Sequence, residues 1–336
     1  MNQAKTIFYD YDRLQSFSSA LFCFILAGRG IGKTYGAIKA CVKDFIKNGN
    51  QFIYVRRYKS ELKTCVPNFF DALIANDEFP DHELTVKNGK FFIDGELAGY
   101  SIALSTSKIL KSTSFPLVRT IVFDEFTITT GVYHYLNHEV EDMLDLYETT
   151  ARMREGVRVW FLGNATTAYN PYFNYFGLSI PHAGEFKTFK DGLILVNYVV
   201  NTSFAEAKRQ TAFGRLVEGT KWGAYSIDNQ FLQDSTSFIH KRPPEADFFF
   251  NLHLAGNVFG IWMDDDGYWY VSHDHDPSSH ANFAFTKDDH TETTMLRSKV
   301  DPIIKNLLER YREAMLVFED QQIKGCLVNN LLKYSN

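Results

Sequence analysis

No stretch of this 336-residue chain is apolar for long enough to cross a bilayer: the longest such run, residues 20–27, falls far short of the roughly 20 residues a spanning helix needs. An N-terminal basic region followed by an apolar segment is also missing, so the sequence reads as an intracellular protein, not secreted and without a membrane partner. Cysteine is scarce. Cys23, Cys41, Cys65 and Cys326 lack the paired spacing of a zinc site and read as reduced side chains used for packing. There is no low-complexity tract and no internal repeat, so no long disordered tail is expected. Positive charge is not in excess either: 35 Lys and Arg against 40 Asp and Glu leave a net charge of −5. Any nucleic-acid contact must then come from a local basic patch, not from the surface as a whole.

What is present is a folded α/β pattern, and the length favours more than one globular unit. An apolar run at 22–26 predicts a strand buried on both faces, followed by a Gly-rich turn, a helix over 33–47 and a second strand at 51–56. Further strands are predicted at 120–123, 157–162 and 193–199, with a hairpin near 91–95 and a helix over 139–153. This alternation predicts a three-layer α/β domain with a parallel sheet over residues 1–200, closed by the strand at 193–199. A lid or linker subdomain follows at 201–245, containing the charged segment 205–215 and Asp228-Asn229-Gln230. A smaller C-terminal domain covers 246–336, with a hairpin turning at Asp264-Asp265-Asp266-Gly267 and a helix capped by Asp301-Pro302.

The strongest chemical signal is Ala27-Gly28-Arg29-Gly30-Ile31-Gly32-Lys33-Thr34, a P-loop in which alanine takes the place of the first glycine. Glycines allow successive backbone N–H groups to converge on phosphate oxygens. Lys33 reaches the outer phosphates, and the Thr34 hydroxyl is a ligand for Mg²⁺. The motif follows a buried strand and opens a helix, as the mechanism requires, so the implied ligands are ATP and Mg²⁺.

Residues 119–125 form an apolar strand ending in Asp124 and Glu125. Such a pair supplies one carboxylate to hold Mg²⁺ through water and a second to polarise the attacking water, as in motor-type ATPases. Asn164, in Leu162-Gly163-Asn164-Ala165, falls where a γ-phosphate sensor would sit. Arg152, Arg154 and Arg158 cluster at the end of the preceding helix, where one of them could reach a neighbouring subunit in a ring. Arg56-Arg57-Tyr58-Lys59, with Lys63, is the densest basic patch, suited to phosphate contacts or an intersubunit signal. Lys108 and Lys111 are further candidates for a DNA pore.

GRGIGKT at 28–34, QFIYVRRYK at 51–59, EFPDHEL at 78–84, TIVFDEF at 120–126 and FGRLVEGT at 213–220 together resemble the DNA-packaging ATPase (encapsidation protein) of the small phi-29-like tailed phages, a relative of the terminase large subunit. The resemblance implies an additional-strand, catalytic-glutamate ATPase fold. It implies a homopentameric ring that acts in the host cytoplasm, attaches transiently to the portal of a prohead, works with a packaging RNA and threads double-stranded DNA. By motif, Lys33 and Thr34 serve phosphate and Mg²⁺, Asp124 and Glu125 serve metal and water, Asn164 senses or switches Glu125, and Arg152 takes the arginine-finger role. Two alternatives stay open on the residues alone: another P-loop helicase or remodelling ATPase, and a nucleotide-stabilised RNA- or portal-binding adaptor without turnover.

For the C-terminal domain the resemblance implies a ribonuclease-H-like α+β fold. Its first strand is expected at 259–263, with no acid inside it, so nuclease activity is not expected. His273-Asp274-His275-Asp276 looks like a metal motif, but on a strand its histidines and aspartates would face opposite sides.

Overall fold

The structure, a computed structural model, describes residues 9–128, 135–136, 138–164, 170–181, 184–199, 201–220, 223, 227, 238–297, 301–313 and 315–331. The turn at Asp228-Asn229-Gln230 and the Ala165 position beside the sensor lie outside them. The chain divides into two compact units, residues 1–166 with 180–232, and residues 167–179 with 233–336.

In the first unit a short helix α1 (Tyr11–Gln15) precedes strand β1 (Phe22–Ala27), helix α2 (Lys33–Asn48) and strand β2 (Gln51–Arg56). Every residue of β1 is buried, because the strand has sheet on both edges and side chains above and below. Helix α2 buries Lys33, Ala37, Ile38, Cys41 and Val42, a single stripe at helical spacing. It ends where Gly49 adopts φ 70° and returns its N–H to the Phe45 carbonyl. Helices α3 (Lys59–Cys65) and α4 (Asp71–Ala75) lead to β3 (Leu84–Lys87), β4 (Lys90–Ile93) and β5 (Glu96–Ala103), the last two joined through Asp94-Gly95. A 3₁₀ helix (Leu104–Leu110), β6 (Val118–Asp124), α5 (Glu139–Ala151) and β7 (Arg158–Asn164) follow.

The nine-stranded sheet of this unit runs β3-β4-β5-β2-β6-β7-β1, then β9 (Ile194–Val199) and β8 (Phe186–Phe189). The six strands from β5 to β9 are parallel. Strand β7 lies between β1 and β6, so an additional strand separates the phosphate loop from the acidic pair, as expected of an additional-strand P-loop fold. Two expectations need correction. The sheet is mixed, because β3, β4 and β8 pair antiparallel at its two edges, and β9 is not the closing strand because β8 covers it. The short β-turn connections at 88–89, 94–95 and 190–193 permit only antiparallel neighbours, since a parallel one needs a crossover. Phe24 stacks on Phe161 at 4.3 Å between ring centroids, tying β1 to β7 in a core where each such ring contributes about 1.5–3 kcal/mol. Helices α7 (Thr202–Arg209) and α8 (Ala212–Val217) follow β9 among the described residues.

The second unit takes in helix α6 (Pro171–Phe176) and a six-stranded sheet. Strands β10 (Asp247–Leu254), β11 (Asn257–Met263) and β12 (Trp269–Ser272) form an antiparallel meander. Strand β13 (Asn282–Ala284) runs parallel beside β10, with β14 (Met295–Leu296) beyond it. After helix α9 (Pro302–Arg312), β15 (Leu316–Phe318) lies parallel to β12, and α10 (Gln321–Leu331) follows. Asp301 caps α9, whose Ile304, Leu307 and Leu308 are buried with Phe250, Leu252 and Ile261 of the sheet. The order β14-β13-β10-β11-β12 is the ribonuclease-H-like arrangement. Its first strand is therefore β10, not the strand at 259–263 as expected, which is the second.

Candidate active site

The phosphate loop bridges the C-terminal end of β1 and the N-terminus of α2. Gly30 and Gly32 hold φ of 92° and 82°, a region that side chains avoid, and this aims the loop's N–H groups inward. Ala27 still belongs to the extended strand, paired with Asn164 on one side and Val199 on the other, so its Cβ meets no such restriction. The N-terminal segment braces the loop from behind: Tyr9 N–H donates to the Ile31 carbonyl at 3.1 Å and the Tyr11 hydroxyl to that of Lys33 at 2.7 Å.

A cleft of about 260 Å³ opens over this loop, lined by Arg29, Gly30, Gly32, Lys33, Thr34 and Tyr35 together with Asp124, Glu125 and Asn164. Within it the Lys33 ammonium donates to the carbonyls of Gly28 (2.9 Å) and Ala27 (3.3 Å) and to Asn164 Oδ1 (3.1 Å). Burial pushes this lysine down to about 8, against the pull of Asp124 and Glu125, while nearby Lys208 lowers it further. Thr34 Oγ1 donates to both Asp124 oxygens, at 3.0 and 3.1 Å, and Tyr54 donates to Oδ2 at 2.8 Å. Burial raises the Asp124 carboxyl, and Arg56 and these donors oppose that rise. A hydroxyl and a carboxylate in contact form a hard, all-oxygen donor pair that fits Mg²⁺, which is held by few protein ligands and keeps several waters.

Glu125 follows with φ 58°, a left-handed conformation that a non-glycine residue adopts only when its surroundings impose it. Its side chain is 54% exposed, and its carboxylate takes Arg56 Nη2 at 2.7 Å. The chain then turns back: Phe126 N–H donates to the Leu162 carbonyl, and Thr127 Oγ1 donates to that of Asn164. Gly163 makes that turn possible, since a Cβ there would stand 2.6 Å from the Phe126 ring and 2.8 Å from Thr127 Oγ1.

Lys33, Thr34, Asp124, Glu125 and Asn164 thus meet in one cleft. Arg56 joins them instead of lying on an exposed basic face, because Glu61 (2.9 Å), Glu125 and Asp124 (3.5 Å) surround its guanidinium. Lys59, at the start of α3, is exposed. Lys108 and Lys111 are exposed as well and pair with Asp142 (2.8 Å) and Asp145 (2.9 Å) of α5. The three arginines after α5 differ. Arg154 donates to the carbonyls of Phe115, Pro116, Val118 and Thr150, and Arg158 to those of Leu14, Phe17 and Ala20. Arg152, which caps α5 with φ 48°, is exposed and reaches the Thr113 carbonyl at 3.3 Å.

Several site residues carried no signal as such. Tyr54 and Glu61 had only strand alternation and helix position to mark them. Arg57 was read as part of the basic patch but is 3% exposed and paired with Glu139 of α5. Lys208 of α7 donates to the Arg29 carbonyl at 3.0 Å, and Phe204, one helical turn earlier, lies 3.5 Å from where a Cβ on Gly30 would sit.

A profile of the podovirus DNA encapsidation protein (Gp16) matches residues 3–334. The chain belongs to this family. It is 40% identical to the DNA packaging protein of Bacillus phage phi29 over 96% of both chains, and 39% identical to that of Bacillus phage B103 over 94% of this chain and 95% of the relative. A solved structure of the bacteriophage Phi-29 viral genome packaging motor assembly contains a chain 38% identical to this one. The match covers 98% of this chain and 100% of that one, at a TM-score of 0.77. The family is that of a packaging ATPase.

In the second unit, the segment His273-Asp274-His275-Asp276 lies past the end of β12, so the expected strand alternation does not apply. His273 Nε2 meets Asp320 at 2.8 Å, Asp274 pairs with Arg242, His275 Nδ1 meets the His273 carbonyl and Asp276 accepts from Ser278. The first strand of this sheet carries Asn251, 1% exposed, whose amide donates to Asn282 Oδ1 (2.9 Å) on β13 and to the Asp276 carbonyl (2.6 Å). Among the described residues no group of three or more His, Cys, Asp or Glu is arranged to hold a metal ion.

Proposed function

We propose that this chain is the ATP-driven motor that moves double-stranded viral DNA through the portal into a preformed prohead, working as a ring, a homopentamer, with a packaging RNA. It acts in the host cytoplasm while attached to the prohead. The observation that carries this reading is the meeting of Lys33, Thr34, Asp124, Glu125 and Asn164 in one cleft of a chain belonging to the encapsidation family.

In this reading residues 27–34 grip the triphosphate through backbone N–H groups and the helix α2 N-terminus, with Lys33 on the outer phosphates. Thr34 and Asp124 hold Mg²⁺, which neutralises charge on the phosphates when bound. Glu125 takes the proton of the attacking water, and Asn164, already bonded to Lys33, reports the outer phosphate. Arg152 is the residue donated to the neighbouring subunit: of the three arginines it alone is exposed, while Arg154 and Arg158 are occupied by carbonyls of their own chain. Lys59, Lys108 and Lys111 supply sequence-independent contacts to DNA or to the adjoining subunit. Arg56 serves the cleft. The C-terminal unit docks and does not cut, since its central strands present paired amides where a two-metal nuclease needs carboxylates.

Lys33→Ala, supplied with proheads, DNA and ATP, is expected to lose DNA packaging, measured as DNA protected from added nuclease. Packaging at the normal rate by this variant would rule the mechanism out.

A further inference from the structure

Arg57 and Arg56 are neighbours in sequence, yet their side chains have different destinations. Arg56 reaches carboxylate side chains in the cleft. Arg57, immediately past the end of β2, reaches the main chain behind it. Its Nη2 donates to the Phe126 carbonyl at 2.7 Å and its Nη1 to that of Glu125 at 3.2 Å. The other side of the guanidinium is gripped by both oxygens of Glu139, Nε to Oε2 and Nη2 to Oε1 at 2.7 Å each. The rings of Phe123 and Tyr135 flank it at 5.4 and 5.0 Å. Glu139 is the first residue of α5, and its Oε2 also accepts the Leu136 N–H at 3.0 Å, so the carboxylate is itself fixed.

A pair formed only for packing would not need to be aimed at two consecutive carbonyls, and these carbonyls belong to the strained turn that carries Glu125 at φ 58°. We infer that Arg57 is a positioning residue for ATP cleavage: held by Glu139, it clamps the main chain of Glu125 and Phe126 so that the Glu125 carboxylate faces the cleft. This rests on Glu125 being the group that activates water. Lysine cannot replace this arginine, because one ammonium with three protons cannot span two carboxylate oxygens and two diverging carbonyls, which the planar fork does.

The test is single-turnover ATP cleavage per bound nucleotide by the full chain on proheads with DNA, comparing wild type, Arg57→Lys and Glu125→Gln. Arg57→Lys is expected to cleave on the order of 10²-fold more slowly, the loss that follows a misplacement of about 1 Å, with the KM for ATP changed less than about threefold. Normalising to bound nucleotide removes any loss of folded protein, which is all that a packing role would produce. If Arg57→Lys cleaves at the wild-type rate while Glu125→Gln is inactive, the positioning role is overturned and the ATPase reading stands. If Glu125→Gln itself cleaves normally, Glu125 is not the group that activates water, and the positioning role falls with that assignment. Should Arg57→Lys fail to fold, Glu139→Gln, which keeps the shape of the clamp but removes its charge, decides: slowed cleavage at unchanged KM supports the role, and full-rate cleavage overturns it.

Discussion

Asp124 in the nine-stranded sheet and Asn251 in the six-stranded one are both buried polar residues on inner strands, 5% and 1% exposed, and they have opposite kinds of neighbours. Asp124 is a carboxylate held by a hydroxyl, a phenol and a guanidinium, in a place where burial works against its charge. Asn251 is an amide whose partners are another amide and main-chain groups, Asp276 N–H among them, so it carries no charge to exploit. Burying an ionised group costs desolvation that its partners must offset, whereas a saturated amide holds strands in register at lower cost. The difference sets a charged, liganded strand end in the first unit against an uncharged strand-bridging amide in the second.

If that division is right, changing a first-unit side chain that faces the cleft or the neighbouring subunit should lower turnover without lowering stability, unlike changing one that only braces its own chain. Arg152→Ala is expected to lower DNA- and prohead-stimulated ATP hydrolysis by about 10³-fold, the usual worth of an arginine finger, with ATP affinity and melting temperature unchanged. Arg154→Ala should do the reverse, because it strips hydrogen bonds from the carbonyls of Phe115, Pro116, Val118 and Thr150. Steady-state hydrolysis and thermal melts on both variants separate the two. An Arg154→Ala protein that melts normally but does not turn over would transfer the finger role to Arg154.

In the second unit, Asn251→Asp should cost about 1–3 kcal/mol of unfolding free energy, since it buries a carboxylate against the Asp276 and Asn282 oxygens. Denaturant titration of the full chain measures this, and ATP hydrolysis should be unaffected. Metal-dependent DNA cleavage by this variant would break the comparison, because it would mean that the site lacks only one charge.

The phosphate loop and the acidic pair were legible because their chemistry depends on local spacing: glycines at 28, 30 and 32, Lys33 beside them, and two acids at a strand end. Helix α2 and strand β2 were legible for the same reason, their burial stripes being short-range. The destinations of Arg56 and Arg57 were not. A run of basic residues looks solvated until its acids are located, and Glu139 lies 82 residues from Arg57. Edge strands β3 and β8 were obscured likewise, because pairing direction depends on turns with no strong apolar signal. The histidine-aspartate run was obscured in a different way: alternation is a property of strands, and β12 stops at Ser272, just before the run begins.

The smallest effect tests Lys33 through its charge. Free lysine titrates near 10.5, and in the cleft burial pushes Lys33 down to about 8. Between these two values the unfolded chain binds a proton that the folded chain lacks, so the Lys33 contribution to stability rises with pH across that window. ATP affinity should move the other way, because above pH 8 the loop loses the cation that faces the outer phosphates. From pH 7 to 9.5 the wild-type dissociation constant for ATP should rise by several-fold, up to roughly tenfold per unit past 8, reduced to the extent that bound phosphate restores the proton. Lys33→Met removes the titrating group, so its melting temperature should lack the added upward slope and its weak ATP binding should not vary with pH beyond the nucleotide's own titration. The two wild-type slopes must have opposite signs, and a fall in both above pH 8 would mean that a different group is titrating.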